Sequence, residues 1–310
     1  MKTVYPNYYN SFKCIADKCR HNCCIGWEID IDESSLEVYQ SAEGDFGKRL
    51  RDNISLSDTP HFILKENDRC PFLNCHNLCD IYSSLGKDKL CQICSDHPRF
   101  YNEFSDRVEA GLGLCCEEAA RLIIAQKEPM TLINEGPNPQ GLLLLRKNIF
   151  DALQNRNLSI NARIDNVCEI LQIYTPDFDI LKWTEVFENL ERLDESWSSL
   201  LARLKSGYKN ADLKDFGEFM KVRETEYEQF LCYLIYRHAL KSDFFEDFVL
   251  YVLFSVLSYK LVFAMGAVDF TENGYFSVDD QLEIMRLFSS EIEYSDENLD
   301  IILEEIENEF

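Results

Sequence analysis

The feature that most constrains this chain is the distribution of its cysteines. Eleven of the thirteen lie within the first 116 residues, and only Cys168 and Cys232 follow, each in a helix-like pattern where a small buried apolar residue is expected. The asymmetry predicts two parts: a cysteine-rich region over residues 1–130 and a second domain over residues 131–310. Between them, residues 128–141 carry three prolines and two glycines and are predicted to be a linker.

The context and spacing of the cysteines favour a metal site over disulfides. The first ten residues lack the apolar run of a signal peptide, so a cytoplasmic, reducing location is expected, where crowded cysteines are more often ligands. Cys19 and Cys23 are four residues apart and can share one helix face, and Cys91 and Cys94 have the gap of a metal-binding turn. Thiolates select zinc or iron–sulfur clusters, and the spacing does not decide between them. The neighbouring histidines could each replace a sulfur, although a surface or hydrogen-bonding role is the expected one: His21, His76 and His97.

Apolar residues from Leu142 onwards recur at helical spacing, which predicts a helical second domain. Within it, Ser277 is placed as a helix N-cap with Asp280 three residues later. The front region is predicted to hold little β-structure. Its expected elements are a helix over 32–42, a hairpin over 54–64, a helix over 117–127 and a strand or extended segment over 27–31. The predicted fold class is therefore mainly α, with a cysteine-rich metal- or cluster-binding region followed by a helical domain.

Charge and hydropathy limit the partners of the chain. The formal net charge of −24 argues against a nucleic-acid partner, because phosphate binding needs clustered Lys and Arg.

One segment raises the question of a membrane span. Residues 248–268 are nearly all apolar, but Lys260 among them would cost about 2.5–3.5 kcal/mol at a bilayer centre. We predict a buried core helix there and no membrane span.

Four segments resemble the flagellin lysine-N-methylase family. They are "CIADKCRHNCCIGWEIDID" (14–32), "CPFLNCHNLCDIYSSLGKDKLCQICSDHPRF" (70–100), "LCCEEAARLI" (114–123) and "EQFLCYLIYRHAL" (228–240). The resemblance implies methyl transfer from S-adenosylmethionine to lysines of flagellin by a protein that carries an iron–sulfur cluster, expected as 4Fe-4S. The positions that match the family's ligands are Cys14, Cys19, Cys23, Cys24, Cys70, Cys79, Cys94 and Cys116. Cys75, Cys91 and Cys115 look like extras, and Glu117 stands where the family usually has proline.

The residues themselves support methyl transfer only weakly. A glycine-rich nucleotide loop after a strand is missing, and no catalytic residue can be named. Arg99 could pair with a cofactor carboxylate, or it could hold a neighbouring acidic side chain. Two other functions therefore stay open: an iron–sulfur redox or electron-transfer protein, which the surplus thiols suggest, and a zinc-stabilised module that binds another protein.

Overall fold

The computed structural model describes all 310 residues and is mainly α-helical, as predicted. The chain divides into two compact units: unit 1 contains Met1–Phe12 and Tyr101–Phe310, and unit 2 contains Lys13–Phe100. This division differs from the predicted boundary near residue 130. The N-terminal segment and the residues from Tyr101 onwards belong with the helices of unit 1, and only the intervening stretch forms the cysteine-rich unit.

Fourteen α-helices and six short strands make up the regular structure. The helices are α1 (Glu33–Ser41), α2 (Gly44–Asp52), α3 (Asp80–Leu85), α4 (Gln92–Asp96), α5 (Glu117–Ile124), α6 (Leu142–Leu153), α7 (Ile160–Leu171), α8 (Ile180–Glu188), α9 (Glu195–Gly207), α10 (Leu213–Met220), α11 (Glu224–His238), α12 (Phe245–Asn273), α13 (Val278–Phe288) and α14 (Asp296–Glu309). The strands are β1 (Lys2–Pro6), β2 (Ile54–Ser55), β3 (His61–Phe62), β4 (Arg99–Glu103), β5 (Arg107–Leu112) and β6 (Leu132–Ile133).

A four-stranded sheet, in the order β4-β5-β1-β6, was not foreseen. Strand β1 runs parallel to β5, with Lys2 opposite Arg107, and antiparallel to β6, with Tyr5 opposite Ile133. The segment predicted to be a linker therefore contains a strand. Short strands that pair across more than a hundred residues leave almost no local signal, because each is stabilised by its partners and not by its own sequence.

The central helices α11 and α12 are buried in unit 1. Helix α12 is long and apolar enough to cross a membrane by length and composition, but 72% of its most apolar window is buried by the protein. Nearly every residue of α11 is buried as well, including polar ones. The burial of α12 agrees with the predicted core helix, since an all-round apolar helix needs apolar neighbours on every side.

Several local predictions are confirmed at the level of single hydrogen bonds. The Ser277 hydroxyl accepts the backbone N–H of Asp280 at 3.0 Å, and the Asp280 carboxylate accepts the backbone N–H of Ser277 at 2.7 Å. Together they form the capping box that begins α13. Helix α1 begins after the cap Asp32, within the predicted range, and α5 ends at Ile124, slightly before the predicted end.

Unit 2 is built from short helices and turns around a small apolar core. Strands β2 and β3 form the predicted hairpin, whereas the 27–31 segment is extended and contributes only an isolated bridge between Asp30 and His61. The rings of Tyr39 and Phe72 both pack on Phe62, at centroid distances of 5.9 Å and 5.0 Å. Cysteines complete this core.

Candidate functional site

Cysteines from three sequence segments, 23–24, 70–79 and 91–94, meet in the core of unit 2. Cys70 and Cys91 are fully buried there, and Cys24, Cys79 and Cys94 pack against them. Cys23 joins through a side-chain hydrogen bond with Cys24. We call these six residues the sulfur group. The grouping places chemically reactive side chains among the aliphatic and aromatic residues of this core.

Backbone geometry holds the sulfur group together. The backbone N–H of Cys70 donates to the Cys24 carbonyl at 2.9 Å, which ties the first and second cysteine segments to each other. Cys79 is the N-cap of α3 and pairs with Leu73 in an isolated bridge, and Cys91 is the N-cap of α4. Turns and caps thus position these residues, because no long regular element runs through the region.

The thiols influence one another electrostatically. The hydrogen bond within each of two pairs lowers the pKa of one sulfur and raises that of the other: Cys23 and Cys91 are lowered, Cys24 and Cys94 are raised. Burial raises the pKa of Cys70 to about 11, and the charges of Cys79 and Cys91 add to that rise. Each pair can therefore hold one thiolate more easily than two. A bound cation would offset the repulsion between the two negative charges, so that both thiols of a pair could ionise.

The donor chemistry suits a thiophilic metal, although the sulfurs do not form a coordination sphere. No group of three or more His, Cys, Asp or Glu side chains is arranged as a metal-binding set in the chain. Soft sulfur donors from several segments are nevertheless the donor type that zinc and iron–sulfur clusters use. The residues present therefore fit such a group by the chemistry of their donors and by sharing one core.

The predicted ligands divide between the sulfur group and other places. The members of the sulfur group include five predicted ligands and one cysteine, Cys91, that looked like an extra. The five are Cys23, Cys24, Cys70, Cys79 and Cys94.

The other cysteines of the front region lie outside the sulfur group. In unit 2, Cys14 is exposed and its sulfur accepts the backbone N–H of Ala16, the Cys19 thiol donates to the His21 carbonyl, and Cys75 is exposed. Cys115 and Cys116 belong to unit 1, where Cys115 hydrogen-bonds Tyr294 and Cys116 caps α5.

Three further side chains of unit 2 lie near these cysteines in the sequence: Trp27, His97 and Arg99. Trp27 packs against the core of unit 2, and its indole N–H donates to the Cys23 carbonyl at 2.7 Å. Arg99 begins β4 and is half-buried. Burial lowers the pKa of His97 to about 4, so this imidazole is neutral at pH 7 and retains a lone pair for a proton or a metal.

Unit 1 contains a buried cluster of ionisable side chains that the sequence did not predict. The fully buried carboxylate of Glu293 lies 2.7 Å from His238 Nε2, and Tyr233 donates to it at 3.0 Å. Arg237 donates to the Tyr233 hydroxyl at 2.8 Å. Glu293 belongs to a π-helical turn, Ser289–Glu293. The only signal in the sequence was the string "YLIYRH", whose polar residues sit inside an otherwise apolar helix.

Unit 1 also contains a cavity of about 500 Å³, which we call the aromatic cavity. Tyr227, Tyr259 and Phe263 form one wall, and Lys260 reaches its lining from α12. Helical spacing places these side chains on facing helices, but their sequence patterns are those of ordinary core residues. No sequence motif marks the cavity.

Comparison with known proteins finds similarity to lysine-N-methylases. Residues 164–310 match the family model described as the FliB lysine N-methylase C-terminal domain. The chain is 23% identical over 244 residues to the lysine-N-methylases of Salmonella typhimurium and Salmonella choleraesuis, covering 71% of this chain and 58% of each relative. It is 28% identical over 141 residues to the flagellar biosynthetic protein FliU of Salmonella muenchen, covering 41% of this chain and 79% of that protein.

The matches cover only part of each relative and of this chain. The chain spans 58% of the length of the lysine-N-methylases it matches, and no solved structure matches it. The resemblance to the flagellin lysine-N-methylase family is confirmed. The chain is thus similar to the lysine-N-methylases, and its residues 164–310 match the model of the FliB lysine N-methylase C-terminal domain.

Proposed function

We propose that this protein methylates lysine side chains of flagellin or a similar flagellar protein, with S-adenosylmethionine as methyl donor. The match to the lysine-N-methylases carries the proposal, since it includes a dedicated C-terminal domain family and relatives named for this activity. The net charge of −24 is compatible with a lysine-bearing partner, because an acidic surface attracts the positive charge of lysine side chains.

The methyl-transfer reaction determines which conditions the protein must create at the lysine amine. The lone pair of a neutral lysine amine attacks the donor methyl carbon, the carbon–sulfur bond breaks, and its electron pair stays on the sulfur of S-adenosylhomocysteine. The methylated nitrogen then releases one proton. Because a free lysine has a pKa near 10.4, the site must desolvate the amine or place a base beside it. It must also align nitrogen, carbon and sulfur.

We further propose that the sulfur group holds an iron–sulfur cluster or zinc. Cys24, Cys70, Cys79, Cys91 and Cys94 would hold it, because they share one core and their thiols interact. Such a group would supply a fold-organising cross-link and, in the case of iron, redox or Lewis-acid chemistry. Cys23, the sixth member of the sulfur group, and Cys14, Cys19 and Cys116 outside it remain proposed ligands from the resemblance, and Arg99 remains a proposed partner for a cofactor carboxylate.

Mass spectrometry of the substrate tests the activity. We expect full chain purified without oxygen to raise the mass of intact flagellin in steps of one methyl group when S-adenosylmethionine is present. Flagellin with chemically acetylated lysines should stay unchanged, since its amines have no available lone pair. Unchanged mass of unmodified flagellin, with the metal site fully loaded, would count against the methylase.

Elemental analysis separates the remaining functions. Iron with acid-labile sulfide and a visible absorbance that dithionite bleaches reversibly would favour a redox role if methyl transfer fails. Zinc alone in a colourless sample, again without methyl transfer, would identify a zinc-stabilised binding module. The hydrogen-bonded Cys91–Cys94 pair supports the redox alternative, because a dithiol in which one thiol has a lowered pKa is suited to oxidation.

A further inference from the structure

Two tyrosine rings cover the C-terminal end of α11. Tyr294 lies over the guanidinium of Arg237, whose Cζ is 4.6 Å from the ring centroid. Tyr251 stacks on the imidazole of His238, with the ring centroids 6.1 Å apart and an angle of 17° between the planes. Arg237 and His238 are consecutive and buried. The last turn of α11 therefore supports both rings, and each ring has one side covered by a buried group.

The ring of Tyr294 is exposed but firmly held. Tyr294 is 44% exposed, whereas its hydroxyl is buried, donates to the Cys115 sulfur and would be overlapped by a Cβ on Gly113. Contacts at the hydroxyl and on one side of the ring fix its position, so the ring loses little freedom when a partner binds. The turn before it, Ser289–Glu293, is π-helical, and such turns are frequent at functional sites.

Carboxylates of α14 lie beside these rings. Burial raises the pKa of the Tyr251 hydroxyl, and the negative charges of Asp300, Asp247 and Asp296 add to the rise, which places these carboxylates close to the ring. Asp296 and Asp300 are exposed and form no ion pair within the protein. We call Tyr251, Tyr294, Asp296 and Asp300 the acidic–aromatic face.

The electrostatics of the acidic–aromatic face favour a cation. The C-terminal end of a helix carries partial negative charge, and the face of an aromatic ring attracts ammonium groups. Residues 294–310 contain no lysine, arginine or histidine. The positive charge of Arg237 beneath Tyr294 is offset by the buried carboxylate of Glu293, 3.4 Å from its Nε.

One lysine of the chain already lies in the field of these carboxylates. Lys241 follows α11, is exposed and forms no ion pair. Burial and the charge of Arg237 lower the pKa of Lys241, and the charges of Asp296 and Asp300 oppose that change. Because Lys241 pairs with neither carboxylate, both stay free to receive a cation from a partner.

We infer that the acidic–aromatic face binds a lysine-bearing segment of the protein substrate. The rings of Tyr251 and Tyr294 contact lysine ammonium groups, and the carboxylates of α14 balance their charge. This inference rests on the proposed function, which requires a lysine-bearing partner. The lysines bound here are charged, so they dock the substrate and differ from the lysine that is methylated, which must be neutral. A second copy of the chain is disfavoured, because two chains of net charge −24 repel each other.

Biolayer interferometry with flagellin and the full chain, without S-adenosylmethionine, tests the face without turnover. Asp296→Asn combined with Asp300→Asn removes two unpaired carboxylates, and we expect the Kd for flagellin to rise about threefold to tenfold. Glu37→Gln combined with Glu169→Gln is the matched control, because it removes two exposed acidic charges elsewhere and should keep the wild-type Kd. Thermal melts check that both double variants fold.

A second comparison tests the ring. Tyr251→Leu keeps apolar bulk but removes the π face, so we expect the Kd to rise about twofold to fivefold. Tyr251→Phe should recover most of this loss. Tyr174→Leu removes a 95% exposed tyrosine outside the face and should bind like wild type. Equal losses for Tyr251→Leu and Tyr251→Phe would overturn the role of the ring.

The chemical state of the lysines tests the ligand class. Flagellin with reductively dimethylated lysines keeps its positive charges and should bind at least as tightly as unmodified flagellin. Flagellin with acetylated lysines has lost those charges and should bind weakly. Equal binding of acetylated and unmodified flagellin would refute recognition of ammonium groups.

The results separate this inference from the proposed function. If wild type methylates flagellin and the double Asn variant has an unchanged Kd and KM for flagellin, the face assignment fails and the methylase proposal stands. If the variants weaken binding as expected but no lysine is methylated, the face assignment holds and the methylase proposal fails. Absence of flagellin binding by folded wild type, or self-association that the double Asn variant abolishes, would overturn the face assignment.

Discussion

Glu109 and Arg146 form a two-point ion pair that is buried from solvent in unit 1. Arg146 Nη1 lies 2.6 Å from one carboxylate oxygen of Glu109 and Nη2 lies 2.8 Å from the other, with both side chains 0% exposed. Glu109 is on β5 and Arg146 is on α6, so the pair fastens the sheet to the helices. The Tyr236 hydroxyl donates to the Val4 and Ala110 carbonyls beside it, which strengthens the same junction.

Breaking this pair should destabilise unit 1 strongly. Arg146→Ala would leave the Glu109 carboxylate buried with only Arg107 as a charged partner, and we expect the free energy of unfolding to fall by about 3–5 kcal/mol. Urea titration followed by circular dichroism measures the loss. The neighbouring exposed pair supplies the control: Lys147→Ala removes its contact with Asp151 and should cost about 0.5 kcal/mol or less. Equal losses for the two variants would contradict the role assigned to Arg146.

The buried His238 should make stability depend on pH. Burial lowers its pKa to about 4, and its Nδ1 has no partner, which suits a neutral imidazole that donates from Nε2 to Glu293. The unfolded chain takes up a proton near pH 6.5 while the folded chain does not, so this contribution is fully present above about pH 6.5 and is lost as pH falls towards 4. The full loss is about 3 kcal/mol.

Urea titrations at pH 7.5 and pH 4.5 measure this effect. His238→Gln should reduce the difference in unfolding free energy between the two pH values, because glutamine does not titrate. His61→Gln replaces a histidine paired with Glu28 in unit 2 and should leave the difference close to that of wild type. A His238→Gln difference as large as that of wild type would show that this histidine titrates normally in the folded protein.

The sulfur group should be distinguishable from the other cysteines by its metal content. Cys70→Ala removes a buried member of the group, and we expect the purified chain to lose most of its bound iron or zinc. Cys75→Ala, five residues later and exposed, should retain the wild-type amount. Elemental analysis of both variants purified without oxygen gives the comparison. Equal metal content in the two would place the ligands outside the sulfur group.

Gly266 should be intolerant of a side chain. A Cβ there would meet Phe216 at 2.8 Å and Phe276 at 3.1 Å, because α10 and α12 approach closely at this point. We expect Gly266→Ala to lower the free energy of unfolding by about 1–3 kcal/mol through overpacking. Gly217→Ala, on α10 and with free space, should be neutral or slightly stabilising because alanine favours a helix. A thermal melt of each variant is sufficient, and a stabilised Gly266→Ala would refute the close-packing argument.

The sequence predicted what depends on near neighbours in the chain. The helices of residues 142–310 follow from apolar spacing, and the cap at Ser277 follows from two side chains three positions apart. Helix α12 was correctly expected to be buried because Lys260 is costly in lipid but tolerable at a protein cavity. These features need only local geometry and the hydrophobic effect.

Only tertiary structure decided which distant residues meet. Cys91 looked surplus by spacing, yet packing places it in the core with Cys24 and Cys70. Arg146 has the sequence environment of a surface arginine but is wholly buried against Glu109. Strand β1, which begins at Lys2, pairs with β6, which begins at Leu132. Local sequence encodes which backbone shape each segment prefers, whereas the partners of a buried charge, thiol or strand are set by contacts between segments far apart in the chain.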